Sequence, residues 1–249
     1  MNKTQQVPIP HSPFPIPKTK KYGLAIHTSS SDLGFALSNF NEDTRFQKWD
    51  LGRDLSIYLH QYLQEFISPQ TWQDLAFIAV AKGPGGFTGT RIGVVTARTL
   101  AQQLDIPLFG ISSLAAVAWD AVQKMPEGKS INIAVEMRAR RGQLFGAIYE
   151  LVLQKPGFSK KPGFLSGTEK PGFLNGGLKE LLAETVTAPE EWEKTLANWQ
   201  TPVELIKAEG GLAGTSLSLL ELAYLDWEQG KRSPWSEVVP FYGQHPVER

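Results

Sequence analysis

The residues of this 249-residue chain best suited to chemistry are gathered in one loop, Lys82-Gly-Pro-Gly-Gly-Phe-Thr-Gly-Thr-Arg-Ile-Gly93. The loop leaves an apolar run and enters a helical pattern, so its free backbone amides are placed to cradle an anion at a helix N-terminus. Two phosphate-binding patterns fail here. No Lys-Ser or Lys-Thr follows Gly89, and Thr88 stands where the last glycine of G-x-G-x-x-G belongs. The competing reading is structural: the glycines make a tight strand-to-helix corner, with Thr88 as the N-cap. Spacing leaves both readings open. Arg138, Arg140 and Arg141 form a small basic cluster at the start of a hairpin, ordinarily just solvated charge.

Other chemistries lack their residues. The chain has no cysteine, which excludes disulfides, thiolate metal sites and thiol nucleophiles. Its four histidines, His11, His27, His60 and His245, are too far apart to read as a ligand pair. Gly110-Ile-Ser-Ser-Leu114 is no nucleophile elbow, because leucine replaces the second glycine. Lys plus Arg and Asp plus Glu both total 25, and zero net charge argues against a chain that coats nucleic acid or anionic membrane. With 41% hydrophobic residues there is enough for a core, and no apolar run reaches the roughly 20 residues of a membrane span. The expected compartment is the cytoplasm.

The elements that must position the loop follow from periodicity. Residues 1–21 carry five prolines and four lysines and read as a disordered tail. Residues 22–126 then read as an N-terminal subdomain. It starts with strands from Tyr22, over Leu33–Phe40 and over Thr44–Trp49. A helix with Leu55, Tyr58, Leu59, Tyr62, Leu63 and Phe66 on one face follows, then the apolar strand Leu75–Val80. Beyond the loop come a helix over Thr90–Leu104, a strand near Leu108 and a helix over Ser113–Val122. Residues 127–249 read as a C-terminal subdomain, with strands at Ile131–Val135 and Gln143–Leu153 and helices at Gly177–Glu184 and Gly214–Gln229. Three Lys-Pro-Gly-Phe copies suggest a flexible insertion at 154–175. The element order predicts mixed α/β sheets with helices packed on them.

The helix after the loop carries two stripes. Gly93, Ala97, Leu100 and Leu104 form one, and Ile92, Val95, Thr96 and Thr99 the other. Two apolar stripes predict that one faces the helix's own sheet and the other a second protein. The tyrosines of the preceding helix invite the same reading, since tyrosine is enriched at interfaces.

The string Gly83-Pro-Gly-Gly-Phe-Thr-Gly-Thr-Arg-Ile-Gly93 resembles the G-P-G-S-F-T-G-x-R-x-G hallmark of the TsaB (YeaZ) proteins. Within it Gly83, Pro84, Gly85, Gly86, Phe87, Thr88, Gly89 and Arg91 are the motif-loop residues. Leu24-Ala-Ile-His-Thr-Ser-Ser30 is similar to the family's L-A-I-D-T-S strand and Gly110-Ile-Ser-Ser-Leu114 to its G-[VI]-S-[ST]-L segment. Arg140-Arg-Gly142 fits D-A-R-x-G-E-V-Y, and Val239-Pro-Phe-Tyr242 fits the terminal P-x-Y.

The resemblance implies an actin/Hsp70/sugar-kinase-like, ribonuclease H-like fold with two related subdomains. It also implies a non-catalytic subunit that binds and activates a TsaD-type enzyme, which with a TsaE-type ATPase transfers a threonylcarbamoyl group to an adenosine beside the tRNA anticodon. The implied interface is the first two helices: Leu55, Tyr58, Leu59, Tyr62, Leu63, Phe66, Ile92, Gly93, Val95, Thr96, Ala97 and Leu100. A homodimer through the same helices is the expected state without that partner. No intrinsic cofactor is expected; ATP and metal belong to the partner subunits, and tRNA is reached through the complex, with Arg138, Arg140 and Arg141 as candidate contacts. The alternatives are an autonomous ATP-dependent phosphotransferase of the same fold and a direct tRNA-binding module.

Three departures bear on that choice. His27 stands where the family has Asp, Arg138 where D-A-R-x-G has its Asp, and Gln143 where it has its Glu. Imidazole is a poor magnesium ligand beside oxygen, so a chain that neither hydrolyses nor transfers phosphate is expected.

Overall fold

A computed structural model describes residues 22–124, 132–153 and 176–243. The proline-rich tail and the Lys-Pro-Gly-Phe repeats lie outside the described residues, as do His11 and His245. The elements run β1 (Tyr22–His27), β2 (Asp32–Ser38), β3 (Thr44–Asp50), α1 (Leu55–Ile67), β4 (Leu75–Ala81), α2 (Phe87–Leu104), β5 (Leu108–Ile111) and α3 (Ser113–Gln123). They continue with β6 (Asn132–Arg138), β7 (Leu144–Leu153), β8 (Gly176–Thr187), α4 (Pro189–Ala197), β9 (Val203–Ala208) and α5 (Ser216–Glu228).

The strands form two mixed sheets. The first has the order β3-β2-β1-β4-β5, with β1 antiparallel to β2 and parallel to β4. The second has the order β8-β7-β6-β9, with β6 antiparallel to β7 and parallel to β9. Each begins with a three-strand meander and adds a parallel fourth strand beside its first, so the second sheet repeats the plan of the first without its last strand.

Alternation along the strands decides which helices each face receives. In the first sheet Leu24, Ile26, Leu33, Phe35, Leu37, Ile78 and Val80 point one way and form a core with α1 and α2. The residues between them are small: Ala25, Ala36, Ala79 and Ala81 face α5, whose Leu219, Leu220 and Ala223 pack closely on that side. The second sheet presents Ile133, Val135, Phe145, Ala147 and Tyr149 to α3, and sets Ala134 and Ile148 against Trp192 of α4. Helices α3 and α5 therefore lie between the sheets, α1 and α2 outside the first, and α4 outside the second. Because α5 closes one face of the first sheet, the expected boundary after residue 126 divides the sequence but not the packing.

Two expectations are corrected. Gly177–Glu184 is not a helix; it belongs to β8, which pairs antiparallel with β7 from Leu144↔Thr187 to Leu153↔Gly176. Its Leu, Lys, Glu and Ala favour helix locally, but β7 otherwise offers an open row of backbone donors and acceptors, and pairing satisfies them. Thr88 is not the N-cap of α2. The cap is Gly86, and Thr88 lies within the helix.

The junction of α3 and α5 holds a buried carboxyl. Trp119 Nε1 donates to Glu221 Oε2 at 2.8 Å, and Gln123 Nε2 also donates to it. Burial pushes the Glu221 carboxyl up to about 7, with the two hydrogen bonds opposing the shift. A folded-state pKa above the unfolded value means that the native state holds a proton the unfolded chain releases. Stability from this group is therefore complete at low pH and falls as pH rises from about 4.5 to about 7. Glu221→Gln removes that loss. Urea denaturation should show the variant more stable than its parent by about 2 kcal/mol at alkaline pH, and no more stable in mild acid.

Candidate functional site

The C-terminal ends of β1 and β4 define the site. After β1 the chain turns through Thr28-Ser-Ser-Ser31, and after β4 it enters the glycine loop, so the two segments meet edge to edge. Gly86 N donates to Ser29 O at 2.7 Å, and Thr28 Oγ1 donates to Gly89 O at 2.8 Å. A Cβ at Gly85, Gly89 or Gly93 would collide respectively with Ser29 O, Thr28 O or Thr28 Oγ1. These glycines let α2 approach the backbone leaving β1. The tight-corner reading accounts for them, with Gly86 rather than Thr88 as the cap.

The C-terminal segment locks the corner. Phe241 N donates to Lys82 O at 2.6 Å, Phe241 O abuts Gly83, and the Tyr242 ring lies 4.4 Å from that of Phe87. The same segment reaches the second sheet, where Gly243 packs on Phe145 and Val186.

A cleft of about 840 Å³ opens between the two sheets. The Ser29–Ser31 turn, Gly85 and Gly86 line one wall. Across it stands the β6–β7 turn with Arg138, Arg140 and Arg141. Arg141 has φ +59° and Gly142 φ +71°, a left-handed pair that reverses the chain and sets all three exposed arginines at the cleft. Three segments far apart in sequence thus share one cavity, a convergence that strand periodicity gives no means of reading.

His27 lies beneath this cleft, wholly buried. Its Nδ1 accepts from Ser29 N at 3.4 Å and its Nε2 has no partner. Burial pulls the imidazole down to about 4, with nearby Asp32 partly opposing, so it is neutral near pH 7. Asp32 accepts from Ser30 Oγ and pairs with Lys48 Nζ at 3.5 Å. Among the described residues no group of three His, Cys, Asp or Glu side chains is arranged to hold a metal ion.

On the outer side of the first sheet, α1 and α2 enclose a groove of about 810 Å³ that includes His60, Arg91, Ile92, Val95 and Leu100. Arg91 therefore lies in this groove, away from the cleft. The expected interface set divides here. Leu55, Leu59, Leu63 and Phe66 are buried against their own sheet, as are Gly93, Thr96 and Ala97. These seven are corrected from exposed contact residues to internal ones, because the face of α1 that carries the leucines is the face that seals the core. Tyr58 and Val95 are exposed, and Tyr62, Ile92 and Leu100 are half-buried. Ile57, off the α1 stripe and missed by periodicity, is 67% exposed, the highest value among the large hydrophobic side chains of the described residues.

Two mixed sheets built on one plan, with helices between them and a cleft at their facing turns, define a mixed α/β fold. The comparisons agree with that class. YeaZ from Pseudomonas aeruginosa superposes with a TM-score of 0.65 at 21% identity, covering 89% of this chain and 100% of that one. A second P. aeruginosa structure, described as similar to peptidase YEAZ, gives 0.66 at 20% identity, covering 90% and 100%. In sequence, the tRNA threonylcarbamoyladenosine biosynthesis protein TsaB of Bacillus subtilis is 39% identical over 136 residues, 51% of this chain and 54% of that protein. The Escherichia coli TsaB is 29% identical over 130 residues, again 51% and 54%. The family model for TsaD, tRNA N6-adenosine threonylcarbamoyltransferase, matches residues 58–156. In sequence the chain is similar to TsaB proteins, and its match spans about half the length of these two curated relatives.

Proposed function

We propose that the chain is a non-catalytic subunit in tRNA threonylcarbamoyladenosine biosynthesis, with the α1–α2 face docking a TsaD-type partner. The observation that carries this reading is the exposed apolar surface that α1 and α2 leave uncovered. Ile57, Tyr58 and Val95 are 67%, 38% and 54% exposed, three of the six exposed large hydrophobic side chains among the described residues. Exposed apolar side chains carried on two neighbouring helices suit a protein contact, whereas single scattered ones need no explanation. The TsaD family model covers most of α1 and all of α2. A partner built on that model therefore presents a comparable helix pair, and two such pairs pack as a small bundle.

In this reading ATP, metal and the TsaE-type ATPase act on or through the partner, tRNA is reached through the complex, and the assembly is cytoplasmic. No helix among the described residues is long and apolar enough to cross a membrane. A second copy of the chain covers the same face when the partner is absent. The test is reconstitution with a TsaD-type subunit, a TsaE-type ATPase and a threonylcarbamoyl donor. Modified tRNA is expected with this chain present and a large loss without it; equal modification in both would end the reading.

A further inference from the structure

We infer that a second cavity, walled by β8, α3, α5 and the residue that follows β4, holds a small organic ligand by its primary ammonium group. The inference is independent of the docking proposed for α1 and α2. The cavity has a volume of about 420 Å³, a size that suits a small molecule, and shares no lining residue with the cleft at the β6–β7 turn.

Its first support is an oxygen without a donor. Glu184 lines the cavity, and its Oε1 is fully buried with no hydrogen-bond partner. A buried carboxyl oxygen left unpaired is costly, and an N–H brought by a ligand removes that cost. The strand places this group by irregular pairing: the β7–β8 register slips on both sides of Ile148↔Leu182. Slips of this kind re-aim side chains. Leu181 and Leu182 pack with Trp192 on the outer face, while Glu180 and Glu184 line the cavity.

The second support is charge. Asp226 and Lys231, at one rim, neutralise each other with Nζ 2.5 Å from Oδ1. Glu180 and Glu184 then stand against Lys82, which makes no ion pair among the described residues. Burial pushes the Glu184 carboxyl up to about 7, with Lys82 opposing and Glu180 adding to the shift. Above neutrality the cavity is therefore short of one cation. The third support is the facing wall. Ser112 Oγ accepts from Leu114 N and Ala115 N and lies 3.4 Å from Tyr149 OH. Whichever hydroxyl donates to the other, the Tyr149 oxygen keeps a lone pair for a further donor. Glu184, Glu180 and Tyr149 thus offer acceptors for the three N–H bonds of an ammonium, and Leu222 and Leu225 offer apolar surface to its carbon stem.

Titration of the full chain with n-butylamine at pH 8, followed by ligand-observed NMR, tests the inference. Saturable binding is expected, and tetramethylammonium, which carries the same charge without N–H donors, should not compete. Binding should weaken as pH falls below about 7, because Glu184 then takes a proton while the alkylammonium stays charged. Glu184→Gln should weaken binding about tenfold with the thermal melt retained. Tyr149→Phe, which removes only the hydroxyl, should weaken it several-fold. Lys179→Ala, whose parent side chain pairs with Glu150 away from the cavity, should change nothing. In a second arm γ-aminobutyrate replaces n-butylamine. Tighter binding would add Lys82 as the partner of its carboxylate, and equal or weaker binding would confine the site to the ammonium; both agree with the shared chemistry. No saturable binding of either amine, equal competition by tetramethylammonium, or an affinity unaltered in both Glu184→Gln and Tyr149→Phe would overturn it.

Discussion

Val95→Arg is expected to leave the chain folded and to abolish its association with a TsaD-type partner, whereas Leu59→Arg should prevent folding. The two positions belong to neighbouring helices on the same side of the first sheet, so the contrast rests on burial alone. Val95 is 54% exposed at the groove rim, and its replacement meets water in the free chain. In a complex the same guanidinium is buried in an apolar contact without a counter-charge, at a cost of several kcal/mol, enough to lower affinity by about a hundredfold or more. Leu59 is 0% exposed within the core formed by α1, α2 and the first sheet. There the charge adds to the roughly 2–5 kcal/mol lost on removing a buried leucine, and the total rivals the stability of a whole domain. Size-exclusion chromatography with the partner, beside thermal melts of each variant, separates the cases. A cooperative, partner-competent Leu59→Arg chain would contradict the packing. A Val95→Arg chain that still binds would place the interface elsewhere.

The second large effect is at the corner between β1 and α2. Glycine to alanine inside an exposed helix usually stabilises by about 1 kcal/mol. At Gly89 the sign should reverse. The added methyl meets the Thr28 carbonyl, which the backbone holds in place, and that residue's hydroxyl also donates to Gly89 O. Gly89→Ala should therefore destabilise by about 2 kcal/mol net or more, as overpacking in a tight site does. Gly86→Ala is the control. A methyl there lies 3.6 Å from Ser29 O, an ordinary contact, so only a few tenths of a kcal/mol should change. Chemical denaturation of both variants checks the pair.

The first half of the chain was largely legible because its periodicities are strong and undisturbed. Leu75–Ala81 is a continuous apolar strand, and the leucines of α1 recur at helical steps. The second half was less so. Helix α4 and strand β9 have no counterpart in the sequence reading, since β9 is an edge strand whose exposed Glu204, Leu205 and Lys207 dilute any alternation. The residues of β8 favour helix by propensity and become strand only because β7 needs a partner.

For the proposed interface, pattern reading picked out α1 and α2 without separating their buried from their exposed sides. An apolar stripe marks what is buried, and it does not say whether the burying partner is the chain itself or another protein. Tyr58 and Val95 became distinguishable from Leu59 only once the sheet beneath them was in place. The cleft was harder still. Ser29, Gly86 and Arg140 are drawn together by three separate turns, and each alone reads as an ordinary loop residue.

Helix α5 and the segment ending at Gly243 have a temporal implication. During synthesis the strands of the first sheet emerge early, yet the helix that covers their small-residue face and the backbone that braces Lys82 and Gly83 come only after the strands of the second sheet. The nascent amino-terminal half must therefore wait on the ribosome with one apolar side uncovered, and a late stalling event would strand it in an aggregation-prone form.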